Sequence, residues 1–255
     1  MTTAPGTTQL IVVSDDFGMC HSINAGIVQA FNEGILTQST LMVPCPWFCE
    51  AAELAKRHCI PVGIHYTLTC EWDNMRWGPL TRAPSLMTAE GYFHSTIKAV
   101  RAAARHDEVV AELAAQTDRL LATGLVHTHQ DHHMGSISVA AYDEMTRRYE
   151  KRSIWSENTG AFPLTSILML SDRDASVKKA WLLDQLANLT PGVHLLVGHC
   201  GQAGAELSSL TPGRAWGEPY RVADLAVLID PDIRAQVDRH GIRLRSFADV
   251  EFAIG

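Results

Sequence analysis

Two carboxylates, Asp15 and Asp16, stand side by side where an apolar run ends, in the sequence LIVVSDDFGM of residues 10–19. Adjacent carboxylates repel each other, and one of them tends to stay protonated unless a cation stabilises both. A divalent metal ion does so, because one carboxylate can bind the ion while the other acts as a base. The pair can equally cap a helix that follows, so alone it leaves both interpretations open.

Four histidines and one aspartate lie within the seven residues 127–133, in the sequence HTHQDHH. Two histidines and one aspartate, with open positions for water and substrate, form a common ligand set of hydrolytic metal sites. Single histidines also follow apolar runs at His65 and His199, where a structural role is the simpler interpretation of each one alone. Together the clusters predict a metal site, with the ligand from the 127–133 cluster left open among His129, His132 and His133.

Strands and helices alternate along most of the chain, which favours a parallel sheet with helical crossovers. We predict a flexible leader at 1–8 and one α/β domain at 9–255, built as a TIM-like (β/α) barrel, closed or nearly closed. In such a barrel the strands end on one face, where the polar clusters would meet. The predicted strands are residues 9–14, 38–43, 61–68, 126–129, 193–197 and 242–246, and the predicted helices are residues 22–34, 47–58, 107–123, 137–147, 175–189 and 231–239.

Two long segments, 69–95 and 200–220, break this alternation and are predicted to be loops. Long loops in a compact domain are often functional. The first contains Trp72 and Trp77, which we expect to form a wall of the substrate pocket, because sugar rings stack on indole faces.

The composition excludes several classes of function. The 255 residues carry 21 basic and 28 acidic side chains, a net charge of −7, with no basic run suited to nucleic acid or an anionic membrane. No apolar stretch is long enough to span a bilayer. The start of the chain lacks the features of an export signal, and the six cysteines form no CxxC pair, so we expect a cytoplasmic protein with reduced thiols. The expected partner is a small molecule or oligosaccharide, and a homo-oligomer stays open.

The polar segments resemble motifs of the YdjC/ChbG-type carbohydrate deacetylase family. SDDFGMCHSINAGI (14–27) resembles its Asp-Asp-Phe-Gly motif, and VGIHYTLT (62–69) its Gly-(Leu/Ile)-His segment. THQDHHMGS (128–136) resembles its Thr-His-x-Asp-Ser-His motif, and LLVGHCG (195–201) stands where the family has His-Pro-Gly. Residues 220–250 resemble its C-terminal helix and strand, so the similarity extends over nearly the whole chain.

The resemblance implies an irregular, TIM-like (β/α) barrel, a divalent metal ion and hydrolysis of an N-acetyl group from an amino sugar. It implies Asp15 as the general base and His199 as the general acid. We expect one Zn²⁺ or Mg²⁺ ion, with Co²⁺ and Ni²⁺ left open. The implied metal ligands are Asp16, His65 and His133, and the residues implied in the same pocket are His129 and Asp131.

Three departures from the family pattern affect the site. The loop after His65 and residues 152–160 do not match the family closely and would shape the substrate pocket, and two single positions also differ. His132 replaces a serine, which places two histidines side by side. The motif frame favours His133 as the ligand and leaves His132 to bind substrate or to support the metal ligands. Cys200 replaces a proline after His199. Two other functions stay open: a metal-dependent hydrolase of another amide or ester, and an inactive protein that binds sugar or metal.

Overall fold

The computed structural model describes residues 6–155, 162–170 and 173–250. The predicted leader falls mainly on residues 1–5, which lie outside the described residues. Thr8 is already the first residue of a strand.

The strands are β1 Thr8–Phe17, β2 Gln38–Leu41, β3 Val62–Tyr66, β4 Gln130–His132, β5 Ser166–Met169, β6 Gly192–Gly198 and β7 Arg243–Arg245. The helices are α1 His21–Glu33, α2 Phe48–His58, α3 Ile97–Ala103, α4 His106–Ala122, α5 Val139–Tyr149, α6 Lys178–Ala187, α7 Ala205–Leu210, α8 Glu218–Leu228 and α9 Pro231–Arg239.

The strands form one parallel sheet in the order β4-β3-β2-β1-β6-β5, and β7 pairs with the beginning of β1. Strand β1 is central and pairs with β6 over its first seven residues and with β2 towards its end. The predicted parallel α/β architecture is therefore confirmed, and the ends of β1, β3 and β4 lie at one edge of the sheet.

The sheet curls into a half-barrel, so the expectation of a closed or nearly closed barrel was wrong. A TIM barrel closes with eight strands of matched length and tilt. Here seven strands pair within the described residues, and β4 and β5 at the two ends of the sheet have three and four residues. A single bridge between Gln130 and Ser153 extends the sheet beyond β4.

Side chains of β1 alternate between two cores. Leu10 and Val12 belong to the large core that also contains the buried faces of the helices. Ile11 and Val13 belong to a smaller core, which includes Phe247. Because successive strand residues point to opposite faces, a strand buried on both faces is apolar throughout. Because β1 is buried on both faces, it forms a rigid support for Asp15 and Asp16 at its end.

Several predicted element bounds differ from the structure. The strand predicted at 126–129 begins only at Gln130, and the predicted loop 200–220 contains α7 and the start of α8. The helix predicted to begin at residue 22 begins at His21, its N-cap residue is Cys20, and the side chain of that residue does not cap it. The carboxylate of Glu206, from α7, instead accepts hydrogen bonds from the backbone N–H groups of His21 and Ser22. A long-range contact thus satisfies donors that a local cap usually satisfies.

All six cysteines are unpaired thiols, four of them buried, as predicted. Within the described residues, no helix combines the length and the apolar character that crossing a membrane requires.

Candidate active site

Asp15 and Asp16 both reach the site because β1 breaks its regular pleat where they occur. The register between β1 and β2 shifts between Ser14 and Phe17, and Asp16 has a left-handed backbone with φ of 71°. In a regular strand two neighbours point to opposite faces. A bulge with one left-handed residue removes this alternation, and aspartate tolerates that conformation better than most residues.

Asp16, His65 and His133 form a buried cluster at the ends of β1, β3 and β4. One ligand atom from each lies within 4.8 Å of the others. Asp16 Oδ1 is 3.2 Å from His133 Nδ1 and 3.6 Å from His65 Nε2, and no hydrogen bond of good geometry satisfies that oxygen. A buried carboxylate oxygen facing two imidazole nitrogens fits a divalent cation, and this donor set suits zinc. A second set of possible ligands shares His65 and adds Asp15 and Asp131.

Each of the two imidazoles has a further carboxylate on its other side. The register of β3 and β4 pairs His65 with Asp131, and His65 Nδ1 lies 3.4 Å from Asp131 Oδ2. His133 Nε2 lies 3.0 Å from Glu71 Oε1. Burial alone would lower the pKa of His133, but Glu71 and Asp16 outweigh it and raise that pKa to about 10. Without a bound cation, therefore, the site retains a proton on His133 at neutral pH.

Arg221, from α8, provides the site with a buried positive charge. Its guanidinium Nη2 lies 2.7 Å from Asp16 Oδ2, and both side chains are buried. Burial would raise the pKa of Asp16, but Arg221 together with His133 and His199 outweighs it and holds that pKa well below its usual range. Asp16 is therefore ionised at every pH at which the protein would work.

Asp15 lies next to this cluster in a different environment. Thr40 donates a hydrogen bond of 2.7 Å to its Oδ1, while Oδ2 is directed towards His199. Burial, reinforced by the charge of Asp131, raises the pKa of Asp15 to about 7. Its carboxylate can therefore gain and lose a proton near neutral pH, as a general base must.

His199 follows β6, and its Nε2 lies 3.9 Å from Asp15 Oδ2. Asp224 accepts a hydrogen bond from the backbone N–H of His199 and pairs with Lys178, and both of those charged side chains are fully buried. Burial lowers the pKa of His199 to about 3, with Asp16 opposing the shift and Arg221 adding to it. The imidazole is therefore neutral and held next to Asp15 by a buried ion pair.

Two other histidines of the 127–133 cluster, His129 and His132, do not join Asp16, His65 and His133. His129 packs in the core against Phe247, and a Cβ on Gly63 would stand 2.3 Å from its Cε1, so only glycine fits at that position. The ring of His132 contacts Tyr142 and Trp155 at centroid distances of 5.3 and 6.3 Å. The structure therefore places His133 in the cluster with Asp16, while His129 and His132 lie outside that set.

Trp72 and Trp77, predicted to line the pocket, are each 3% exposed and pack edge to face. Trp72 lies under the guanidinium of Arg221, so it supports the site from behind. Contact between these two indoles and substrate stays a prediction. Trp216 presents an exposed indole near the site, and its ring meets His199 at 5.3 Å.

Trp216 and Tyr220, whose rings contact His199, also line a cleft of about 540 Å³. Arg173 and Asp174 provide charged groups on its wall. Aromatic faces combined with a few polar groups are typical of a ligand site.

Glu71 and Arg221 are site residues that the sequence analysis missed. Arg221 lies four and seven residues before Leu225 and Leu228, on the buried face of α8. A charged residue on the apolar stripe of a helix is a signal that it has a buried partner. Glu71 lies six residues after His65, in the predicted loop 69–95, so its contact with His133 depends on how that long loop folds.

The sequence model of the YdjC-like protein family matches residues 9–239. A carbohydrate deacetylase from Geobacillus stearothermophilus is 30% identical over 246 residues, which cover 94% of this chain and 96% of that protein. A chitooligosaccharide deacetylase from Yersinia enterocolitica is also 30% identical, covering 94% and 98%. A crystal structure from Enterococcus faecalis, named provisionally as a cellobiose-phosphate cleavage protein, has a TM-score of 0.82 at 19% identity and covers 96% of this chain and 100% of its own; it shows the shared fold. The chain belongs to the YdjC-like family.

Proposed function

We propose that this protein is a metal-dependent carbohydrate deacetylase, which hydrolyses the N-acetyl group of an amino sugar or short oligosaccharide. The observation that carries the proposal is the buried set Asp16, His65 and His133, with the carboxylate of Asp15 beside it. The names of the two relatives that are 30% identical support the same chemistry and the same substrate class.

Asp16, His65 and His133 are the residues that would hold the cation. The second possible set fits less well, because Asp131 Oδ1 already accepts hydrogen bonds from the indole of Trp155 and the backbone N–H of His132. A divalent ion in the first set supplies a Lewis acid that polarises the acetyl carbonyl and makes water a better nucleophile.

Asp15 is the proposed general base, acting at Oδ2. Its other oxygen is held by Thr40, which fixes the direction of the carboxylate. Oδ2 takes one proton from the attacking water, the water oxygen forms a bond to the acetyl carbon, and the carbon–nitrogen bond then breaks. The products are acetate and a free amine on the sugar.

His199 is the proposed donor of the proton that the departing nitrogen needs. In the resting site it is neutral, so it must first gain a proton, and Asp15 Oδ2 at 3.9 Å is the nearest acidic group. A proton taken from water by Asp15 would thus pass through His199 to the amine. This route returns both residues to their starting states and consumes one water.

The test is acetate release from a panel of N-acetylated mono- and disaccharides, with protein stripped of metal and then reloaded with each candidate ion. We expect release that depends on the added ion and is absent in the stripped protein. Asp15→Asn protein, loaded with the same ion, is the matched control. No release from any sugar, with the ion measurably bound, would contradict deacetylation and favour another amide or ester as the substrate.

A further inference from the structure

His133 presents its two ring nitrogens to two different carboxylates. Nδ1 lies 3.2 Å from Asp16 Oδ1. Nε2 lies 3.0 and 3.1 Å from the two oxygens of Glu71. His65 has the opposite orientation, with Nε2 towards Asp16 and Nδ1 towards Asp131.

A neutral imidazole carries one N–H and one lone pair, and the hydrogen bond at one nitrogen decides which. A carboxylate can only accept, so Glu71 requires the proton to stand on Nε2 of His133. With a cation bound beside Asp16 Oδ1, the lone pair that meets the ion is then the one on Nδ1. By the same argument, Asp131 leaves the lone pair of His65 on Nε2.

We propose that Glu71 is a positioning residue of the cation site: it fixes His133 in the tautomer that binds a divalent cation through Nδ1, and so sets the affinity of the site. The inference rests on the cation site of the proposed function, but not on the reaction or the sugar. Carboxylates behind metal-binding histidines typically change metal affinity by roughly 10- to 100-fold when removed.

The loop that carries Glu71 is anchored independently of that carboxylate. Asp73 pairs with Arg214 at 2.6 Å, and Asn74 donates a hydrogen bond to the carbonyl of Ser209. The backbone N–H of Cys70 also bonds to the carbonyl of His94. Truncating the side chain of Glu71 should therefore leave the loop in place, and its effect should fall on His133.

The experiment measures zinc affinity of metal-stripped protein by competition with a chromophoric chelator, without any substrate. Glu71→Ala should weaken binding by roughly 10- to 100-fold. Glu71→Gln keeps an oxygen that can accept the Nε2 proton, so it should recover most of the affinity. Glu90→Gln removes an exposed carboxylate elsewhere in the same long loop, away from the contacts that anchor it, and should bind zinc within about twofold of wild type.

Imidazole nitrogen NMR of the zinc-loaded protein, labelled at histidine, gives a readout that a merely structural role would not change. We expect the proton of His133 on Nε2 and the metal on Nδ1 in the wild type, and a mixed or reversed pattern in Glu71→Ala. Wild-type affinity in Glu71→Ala, equal losses in the Ala and Gln variants, or a proton on Nδ1 of the wild-type ring would each overturn the proposal. A wild-type protein that binds zinc in this way but releases no acetate would contradict the proposed function alone.

Discussion

The guanidinium of Arg221 and the carboxylate of Asp16 form a buried ion pair at 2.7 Å, at the point where the candidate cation ligands meet. The pair uses one oxygen of Asp16 and leaves the other directed at the two imidazoles. The single positive charge of Arg221 does not balance the site, because the site contains four carboxylates. These belong to Asp15, Asp16, Glu71 and Asp131. A proton on His133 offsets part of the remaining negative charge in the cation-free site, and a divalent cation that displaces this proton would offset more.

Arg221→Met should make the stability of the protein depend on metal. It leaves the charge of Asp16 buried without its partner, a change that costs about 3–5 kcal/mol in comparable buried pairs. Added zinc should restore part of that loss, because the ion supplies the missing positive charge. Urea unfolding in the presence of zinc, and separately in the presence of a chelator, measures the free energy of unfolding in each condition. Arg76→Met, which removes an exposed guanidinium 3.8 Å from Asp73, should stay within about 0.5 kcal/mol of wild type. Equal losses with and without zinc would contradict this account.

Asp15→Asn should separate catalysis from metal binding. The amide cannot take the proton, so kcat should fall by at least about 100-fold, while the zinc content stays at the wild-type level. His65→Ala, in contrast, should lose both zinc and activity. Elemental analysis beside acetate release measures both properties. Loss of zinc in Asp15→Asn would instead favour the second ligand set, in which Asp15 joins His65 and Asp131.

The candidate cluster could be predicted from the sequence because its members are polar residues placed where apolar strands end. His65 and Asp131 become neighbours through the register of two parallel strands, and strand ends are visible as changes in composition. Which histidine of the 127–133 cluster belongs to the set depends on the turn after β4. Met134, with φ of 59°, lies in that turn, and a pattern of residue types does not encode it.

The open half-barrel and the role of Glu71 could not be predicted, because both depend on features that local sequence patterns do not encode. The closing of a barrel depends on the length of the last strands, and β4 and β5 are too short to show a clear alternation of side chains. Glu71 belongs to a long loop whose path is set by contacts far away in the sequence, such as that between Asp73 and Arg214. Local propensity carries no information about such contacts.

Trp216→Ala should weaken substrate binding more than it slows the reaction. Its indole is 46% exposed and borders the 540 Å³ cleft next to His199, so it offers a face on which a sugar ring can stack. Loss of stacking worth about 1 kcal/mol predicts a KM about fivefold higher for an N-acetylated disaccharide. Trp47→Ala, which removes an indole on the N-terminal side of α2, is the control and should keep the wild-type KM. An unchanged KM with a lower kcat would show that Trp216 acts by positioning His199.

His127 should make the folded protein less stable in mild acid. Its ring is 1% exposed and lies against Tyr149, and burial, together with the charge of Lys151, lowers the pKa of His127 to about 4. The unfolded chain binds this proton near pH 6.5, so the stabilisation is complete above that pH and is lost as the pH falls towards 4. At pH 5 the loss amounts to about 2 kcal/mol.

His127→Leu cannot take up the proton, so its free energy of unfolding in urea should fall less between pH 8 and pH 5 than that of wild type. His240→Gln, at an exposed position after α9, should follow the wild-type curve. Parallel curves for wild type and His127→Leu would show that His127 is already protonated in the folded protein or opens to solvent before the protein unfolds.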